Sequence, residues 1–360
     1  MTVHGHGPDA IVFVHCAASA GSGHQRSQPR PAGRPRVTSR RARARVIDIH
    51  AHCAVPEAMQ LMGLSLESVG GGRLPVGIAA SDLQTRLAAM DAQQIDTEVL
   101  SINPFWYGAD VDLARAVVDL QNEKLAGLVA SGGDRFAALA SVALQHPGLA
   151  AEQLEHAIKR LGLKGALVGG SVEGSELSDP RFHPFWAKAE SLGALVFIHP
   201  QGMREAESRL QGSGGLGNVI GNPLETTVAL SHLIFEGTLD RFPHLKLCAA
   251  HGGGYLPSYA GRSDAGIRTF PQTYTVKLKK APTAYLRDLY YDSLVFTPEG
   301  LRHLVAEVGA DRVMLGTDYP YPWTDRAVEH IRATPGLRAN QRSAMLGGTA
   351  AALLGLAAGS

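Results

Sequence analysis

Four histidines and one aspartate stand at the ends of short apolar runs, and together they could hold and use a metal ion. His50 and His52 close the run that begins at Val46. His199 follows Val196-Phe197-Ile198, His251 follows Cys248-Ala249-Ala250, and Asp318 follows Leu315-Gly316-Thr317. Side chains alternate faces along a strand, so residues two apart point the same way and His50 and His52 can grip one ion. Three imidazoles and a carboxylate form a borderline-soft donor set that suits zinc, tolerates manganese and leaves room for a water. A metal would lower the pKa of that water toward ~7 and supply hydroxide at neutral pH. His251 is then expected as the acid or base that moves the water proton or protonates substrate. The run ending Leu167-Val168-Gly169-Gly170 offers no lysine or carboxylate to bridge a second ion. One metal is expected, not two.

Each of these residues alone has a plainer reading. A single H-x-H is more often incidental than metal-binding, and an Asp after Gly-Thr is ordinarily a turn or a helix cap. The glycines at 252, 253 and 254 could merely relax a tight junction. What the plain readings leave unexplained is the joint placement. Of fifteen histidines, the others fall near the N-terminus (His4, His6, His15, His24), in helical stretches (His156, His232, His303, His330) or in turns (His146, His183, His244). A second H-x-H, His4 and His6, has no strand around it and reads as a decoy.

The elements that must position the five residues form a repeating pattern. Strands are expected at 46–50, 97–102, 136–142, 165–168, 195–199, 246–251, 289–293 and 313–317. Amphipathic stretches at 81–93, 113–131, 149–161, 184–192 and 226–235 lie between them. Alternation of helices with near-continuously apolar strands signals a parallel sheet covered on both faces. Eight such units predict an α/β fold, a (β/α)8 TIM barrel, whose active site lies at the C-terminal ends of its strands. A doubly wound sheet would want G-x-G-x-x-G after the first strand, where this chain has histidines. Two long connections, 53–80 and 200–222, are candidate lids.

Bulk properties bound the rest. The chain has 360 residues, 45% hydrophobic and 19% charged, as in ordinary soluble enzymes. No apolar run reaches the ~18 residues of a membrane span. Three cysteines (Cys16, Cys53, Cys248) are too few and too scattered for a disulfide framework, which predicts a reducing, cytoplasmic setting. The apolar stretch 11–20 lacks the preceding basic residue of a signal peptide and is interrupted by His15. The net charge of +1 hides an asymmetry. Residues 1–45 carry eight arginines (Arg26, Arg30, Arg34, Arg36, Arg40, Arg41, Arg43, Arg45) against one acid, Asp9, leaving 26 basic and 32 acidic residues in 46–360. The expected division is a disordered Arg-rich extension, 1–45, and a barrel, 46–360. Neither a nucleic-acid nor a membrane partner is expected.

The wording around the five residues resembles a known family. His50, His52, His199, His251 and Asp318 in this order look like the amidohydrolase superfamily. Narrower signals are Ala250-His251-Gly252-Gly253-Gly254-Tyr255-Leu256-Pro257 running on to Gly261-Arg262, and Gly316-Thr317-Asp318-Tyr319-Pro320-Tyr321-Pro322. To these add Asn222-Pro223 with Glu225, Thr226 and Thr227, and Phe242-Pro243 with Leu245 and Lys246. They are similar to the α-amino-β-carboxymuconate-ε-semialdehyde decarboxylase family, from about Val46 to Leu356. The resemblance implies zinc on His50, His52, His199 and Asp318, with His251 as catalytic acid/base beside Asp318. It also implies a homodimer in which Arg262 reaches a neighbouring subunit's site to hold a substrate carboxylate. The implied reaction is decarboxylation of a small unsaturated or aromatic acid, and the alternative is a hydrolase or hydratase working from the same metal. One departure stands out: the founding decarboxylase has a substrate arginine shortly before the helix that ends in Met-Asp (here Met90-Asp91), whereas 74–80 contains none and Arg73 is the nearest substitute. Trp106, Tyr107, Tyr321 and Phe296 are candidates to wall an aromatic pocket.

Overall fold

The computed structural model describes residues 44–65 and 83–357, together with the strands Phe13–Cys16 and Ile78–Ser81. Eight parallel strands form the frame: β1 (Ile47–His52), β2 (Thr97–Ser101), β3 (Phe136–Ala138), β4 (Gly165–Gly169), β5 (Leu195–His199), β6 (Lys246–Ala249), β7 (Tyr290–Asp292) and β8 (Val313–Met314). β1, β2 and β3 pair in order, as do β4 through β8. Two seams close the ring. Ala140 N–H donates to Gly165 O at 2.8 Å, joining β3 to β4, and Ile49 N–H donates to Leu315 O at 2.9 Å, joining β8 to β1. Outside the barrel, Phe13–Cys16 runs antiparallel to Ile78–Ser81.

Helices follow most strands, among them Val111–Gly132 after β2, Pro147–Lys159 after β3, His183–Leu192 after β4, Asn222–Phe235 after β5 and Pro298–Val308 after β7. Their apolar stripes bury against the outward residues of the strands. Val196, Ile198, Leu247 and Ala249 share one buried cluster with Phe185, Trp186, Leu230 and Leu233. The inward residues form a second cluster of Ile47, Ile49, Val99, Leu139, Leu167, Leu195, Phe197, Cys248 and Met314, which Ala350, Ala351 and Leu354 complete. Such a barrel is a packed core with its chemistry at one end.

Among the strand boundaries that differ from expectation, three have a local reason. β3 pairs with β2 only through Ala138, because the next residues hand over: Leu139 N–H still reaches Leu100 O, while Ala140 N–H has turned to β4. β6 ends at Ala249 because His251 takes φ +54, which no strand accommodates. β1 runs on to His52 across a one-residue register shift between Asp48 and Ala51. A bulge of this kind re-aims side chains, and here Ile49 packs in the inner cluster while His50 next to it meets the ring of Phe197 at 4.9 Å.

Candidate active site

The five residues picked out by position converge at the C-terminal mouth of the barrel. His50 Nε2 lies 3.0 Å from His52 Nε2, and Asp318 Oδ1 lies 3.2 Å from the first and 3.0 Å from the second. The His199 ring stands 5.1 Å from that of His50 and 4.7 Å from that of His52. His251 Nε2 is 3.5 Å from Asp318 Oδ2. One donor atom from each of His50, His199, His251 and Asp318 falls within 4.8 Å of the others.

The local backbone is built to hold this arrangement. His251 and Asp318 both take left-handed backbone conformations, with φ +54 and +61. Non-glycine residues seldom do so, and strain of this sort gathers at functional sites. Asp318 is locked by its own N–H donating to His50 O at 2.8 Å. Thr317 beside it donates to Asp48, N–H at 3.1 Å and Oγ1 at 2.5 Å, and Asp48 in turn accepts His50 N–H at 3.0 Å. Burial, aided by Glu98, pushes the Asp48 carboxyl up to about 7. Gly316 is required where it stands: a Cβ there would come within 2.8 Å of Asp292 Cβ and 3.1 Å of His50 Cβ. Behind His52, the buried Arg86 donates to its carbonyl at 2.9 Å and pairs with Glu98 at 2.5 Å.

The electrostatics suit a cation. Burial pulls His50 down, but Asp318 and then Asp292 outweigh it and carry His50 up to about 10. Burial also acts on Asp318, yet His50, His251 and His52 hold it well below the usual carboxylate range. His52 and, more strongly, His199 are pushed down by burial and stay neutral. His199 is 5% exposed and neither ring nitrogen has a hydrogen-bond partner. Buried polar atoms are rarely left so. His52 and His199 as neutral imidazoles beside an ionised carboxylate are the donor chemistry of a transition-metal site, and an ion at His50 Nε2 would take the place of the proton that Asp318 favours there, so the residues fit one divalent ion.

Other expectations fared differently. Trp106 is a correction: it lies wholly inside the core and its indole N–H donates to Val142 O at 3.0 Å, so it packs the barrel wall and lines no pocket. Tyr107 is buried too, its hydroxyl accepting Gly169 N–H at 3.0 Å, but it lines a cavity together with Phe105, Gln201 and Glu225. Tyr321 does belong to the mouth, with its ring 6.0 Å from that of His52. Phe296 is 54% exposed, its ring 5.9 Å from that of Trp323 and tilted 50° to it. Arg262 is exposed on the helix Gly261–Thr269, apart from the histidines. Arg73 lies outside the described residues. One residue was missed. Asp292 ends β7, fully buried, and accepts the Nδ1–H of His50 at 2.7 Å. The same test that found the others, an acid or imidazole at the end of an apolar run, would have found it.

Comparison with known proteins settles the family. A family model described as amidohydrolase matches residues 47–356. The chain belongs to the amidohydrolase family. It is 32% identical over 313 residues to a 2-amino-3-carboxymuconate-6-semialdehyde decarboxylase of Dictyostelium discoideum, across 86% of this chain and 85% of that one. Among solved structures, a 5-carboxyvanillate decarboxylase from Sphingomonas paucimobilis superposes with a TM-score of 0.77 at 26% identity, covering 87% of this chain and 99% of that one. A dihydroxybenzoic acid decarboxylase from Polaromonas sp. JS666, solved with bound manganese and the inhibitor 2-nitroresorcinol, gives 0.75 at 26% identity, covering 86% and 97%. The expected family and (β/α)8 fold are both borne out, and these three relatives of the amidohydrolase barrel are decarboxylases.

Proposed function

We propose that this amidohydrolase is a metal-dependent decarboxylase of a small unsaturated or aromatic carboxylic acid. The observation that carries the reading is the meeting of His50, His52, His199 and Asp318 with His251 at the barrel mouth, where donor atoms of His50, His199, His251 and Asp318 lie within 4.8 Å of one another and His52 Nε2 lies 3.0 Å from His50 Nε2. The first four would hold one divalent ion: zinc on donor chemistry, with manganese second because the Polaromonas relative holds it. A divalent ion there would polarise substrate oxygens and orient the acid. His251 Nε2 then gives a proton to the carbon that loses carbon dioxide. The C–C bond breaks, its electron pair stays on that carbon, and the proton takes it up. The His251 side chain is 14% exposed, more than those of His50, His52 and Asp318, so solvent can return the proton. Tyr321 would wall a planar substrate beside His52.

Arg262 would pair a substrate carboxylate in a partner subunit's site, a task its planar fork suits. A homodimer is supported by apolar residues left exposed near it: Val219, Ile220, Tyr255 and the 69% exposed Tyr259, three residues before Arg262. The Tyr255 hydroxyl donates to Val219 O at 3.4 Å, tying the patch together. Arg73 and Phe296 are assigned to substrate contact, and 46–360 to the catalytic unit. A cytoplasmic setting is supported by the buried free thiols Cys53 and Cys248, and no helix among the described residues is long and apolar enough to cross a membrane. The test is a panel of acids, including 2,6-dihydroxybenzoate and 5-carboxyvanillate, assayed for carbon dioxide release by metal-replete protein. At least one acid should lose carbon dioxide. If none does while an amide or lactone is opened, the hydrolase reading replaces this one.

A further inference from the structure

Asp292 touches more of the site than its contact with His50 requires. Its Oδ2 accepts both the Nδ1–H of His50 at 2.7 Å and the backbone N–H of His251 at 2.8 Å. Its Oδ1 accepts the N–H of Gly252 at 2.8 Å and of Leu294 at 3.0 Å. Four donors from three barrel strand ends therefore meet on one carboxylate. Two of them belong to a turn whose own backbone bonds, Gly253 N–H to Ala250 O at 3.0 Å and Gly254 N–H to His251 O at 3.1 Å, leave the N–H groups of His251 and Gly252 to Asp292. His251, Gly252, Gly253 and Gly254 all have left-handed φ, +54, +62, +81 and +65, and successive N–H groups in such a turn form a concavity that closes on an anion.

We propose that Asp292 is a positioning residue that ties the metal ligand His50 and the proton donor His251 to the same carboxylate, so that metal affinity and His251 alignment are coupled. This rests on the roles given to His50 and His251 above. On the His50 side, Asp292 takes the Nδ1 proton and leaves Nε2 to face His52 and Asp318, the usual service of a carboxylate behind a metal-binding imidazole. On the other side, the same oxygens fix the turn that aims His251. An amide cannot replace it. With its single oxygen toward His50 and His251 it presents N–H to the N–H groups of Gly252 and Leu294, and turned over it presents N–H to His50 Nδ1 and the His251 backbone.

Mn2+ titration of the full chain tests the coupling without relying on turnover. His251→Ala is the control for the reading beneath it: if Mn2+ affinity falls there, His251 is a ligand and the role assignment fails, not the coupling. Asp292→Asn should bind Mn2+ roughly 10- to 100-fold more weakly. At saturating Mn2+ its kcat on the best acid of the panel should stay at least tenfold low, because the turn remains released. Full recovery of kcat at saturating metal overturns the proposal, since Asp292 would then act through His50 alone; unchanged Mn2+ affinity overturns it as well. A second variant covers the case in which Asp292→Asn does not fold. Gly252→Ala places a Cβ 2.5 Å from Val295 Cγ1 in a left-handed turn and touches no metal ligand. It should nevertheless weaken Mn2+ binding several-fold by shifting Asp292, and Mn2+ affinity equal to wild type overturns the coupling.

Discussion

The division of labour among the five converging residues makes the sharpest residue-scale predictions. His251→Ala should abolish turnover, by roughly 10²–10⁴-fold for loss of a general acid, and still retain its metal. Asp318→Ala should lose metal on dialysis, because its carboxylate would be the anionic donor beside the imidazoles. Elemental analysis of both variants beside kinetics checks this; equal loss of metal would make His251 a ligand. These residues were legible because type and position carry the information: an imidazole or acid at the end of a buried strand has few structural uses. Asp292 was as legible in position and was passed over, and its partner His50 lies 242 positions away in sequence. Trp106 failed for the opposite reason. An aromatic wall and an aromatic core look the same in sequence, and only the bond from its indole to Val142 O decides between them.

At the scale of elements, the strand–helix alternation was enough to find all eight strands, because parallel strands covered on both faces are apolar throughout. What it could not show is where pairing changes hands. The shift after Asp48 and the turn of Ala140 toward β4 depend on partners far along the chain. Close approach is equally hidden. Gly254 and Gly63 share nearly the same φ, +65 and +66, yet a Cβ on Gly254 would lie 2.1 Å from Pro223 O at the start of the helix Asn222–Phe235, whereas one on Gly63 meets nothing within 4 Å. Gly63→Ala should therefore cost only the ~1–2 kcal/mol of a left-handed alanine. Gly254→Ala adds a steric clash of about 1–3 kcal/mol. Denaturant melts of the two variants compare them directly, and equal losses would refute the close contact.

At the scale of the whole molecule, two propositions join the fold to the reaction. If Arg262 serves a partner's site, an inactive Arg262→Ala chain and an inactive His251→Ala chain should complement. In a symmetric dimer one site of a mixed pair has both residues, so an equimolar mixture should regain about a quarter of wild-type activity. An Arg262→Ala chain that keeps full activity, or a mixture that stays inactive after verified subunit exchange, would contradict this. The second proposition is the central one, that a barrel-mouth metal site and His251 remove carbon dioxide and put a proton in its place. The most direct measurement runs the accepted acid in D2O and follows carbon dioxide and product together, with metal present, after chelation, and after adding back zinc or manganese. One deuterium on the carbon that bore the carboxylate for each carbon dioxide released, lost on chelation and restored by the ion, is the predicted result. Carbon dioxide release untouched by chelation, or water added to the substrate with no carbon dioxide formed, would contradict it.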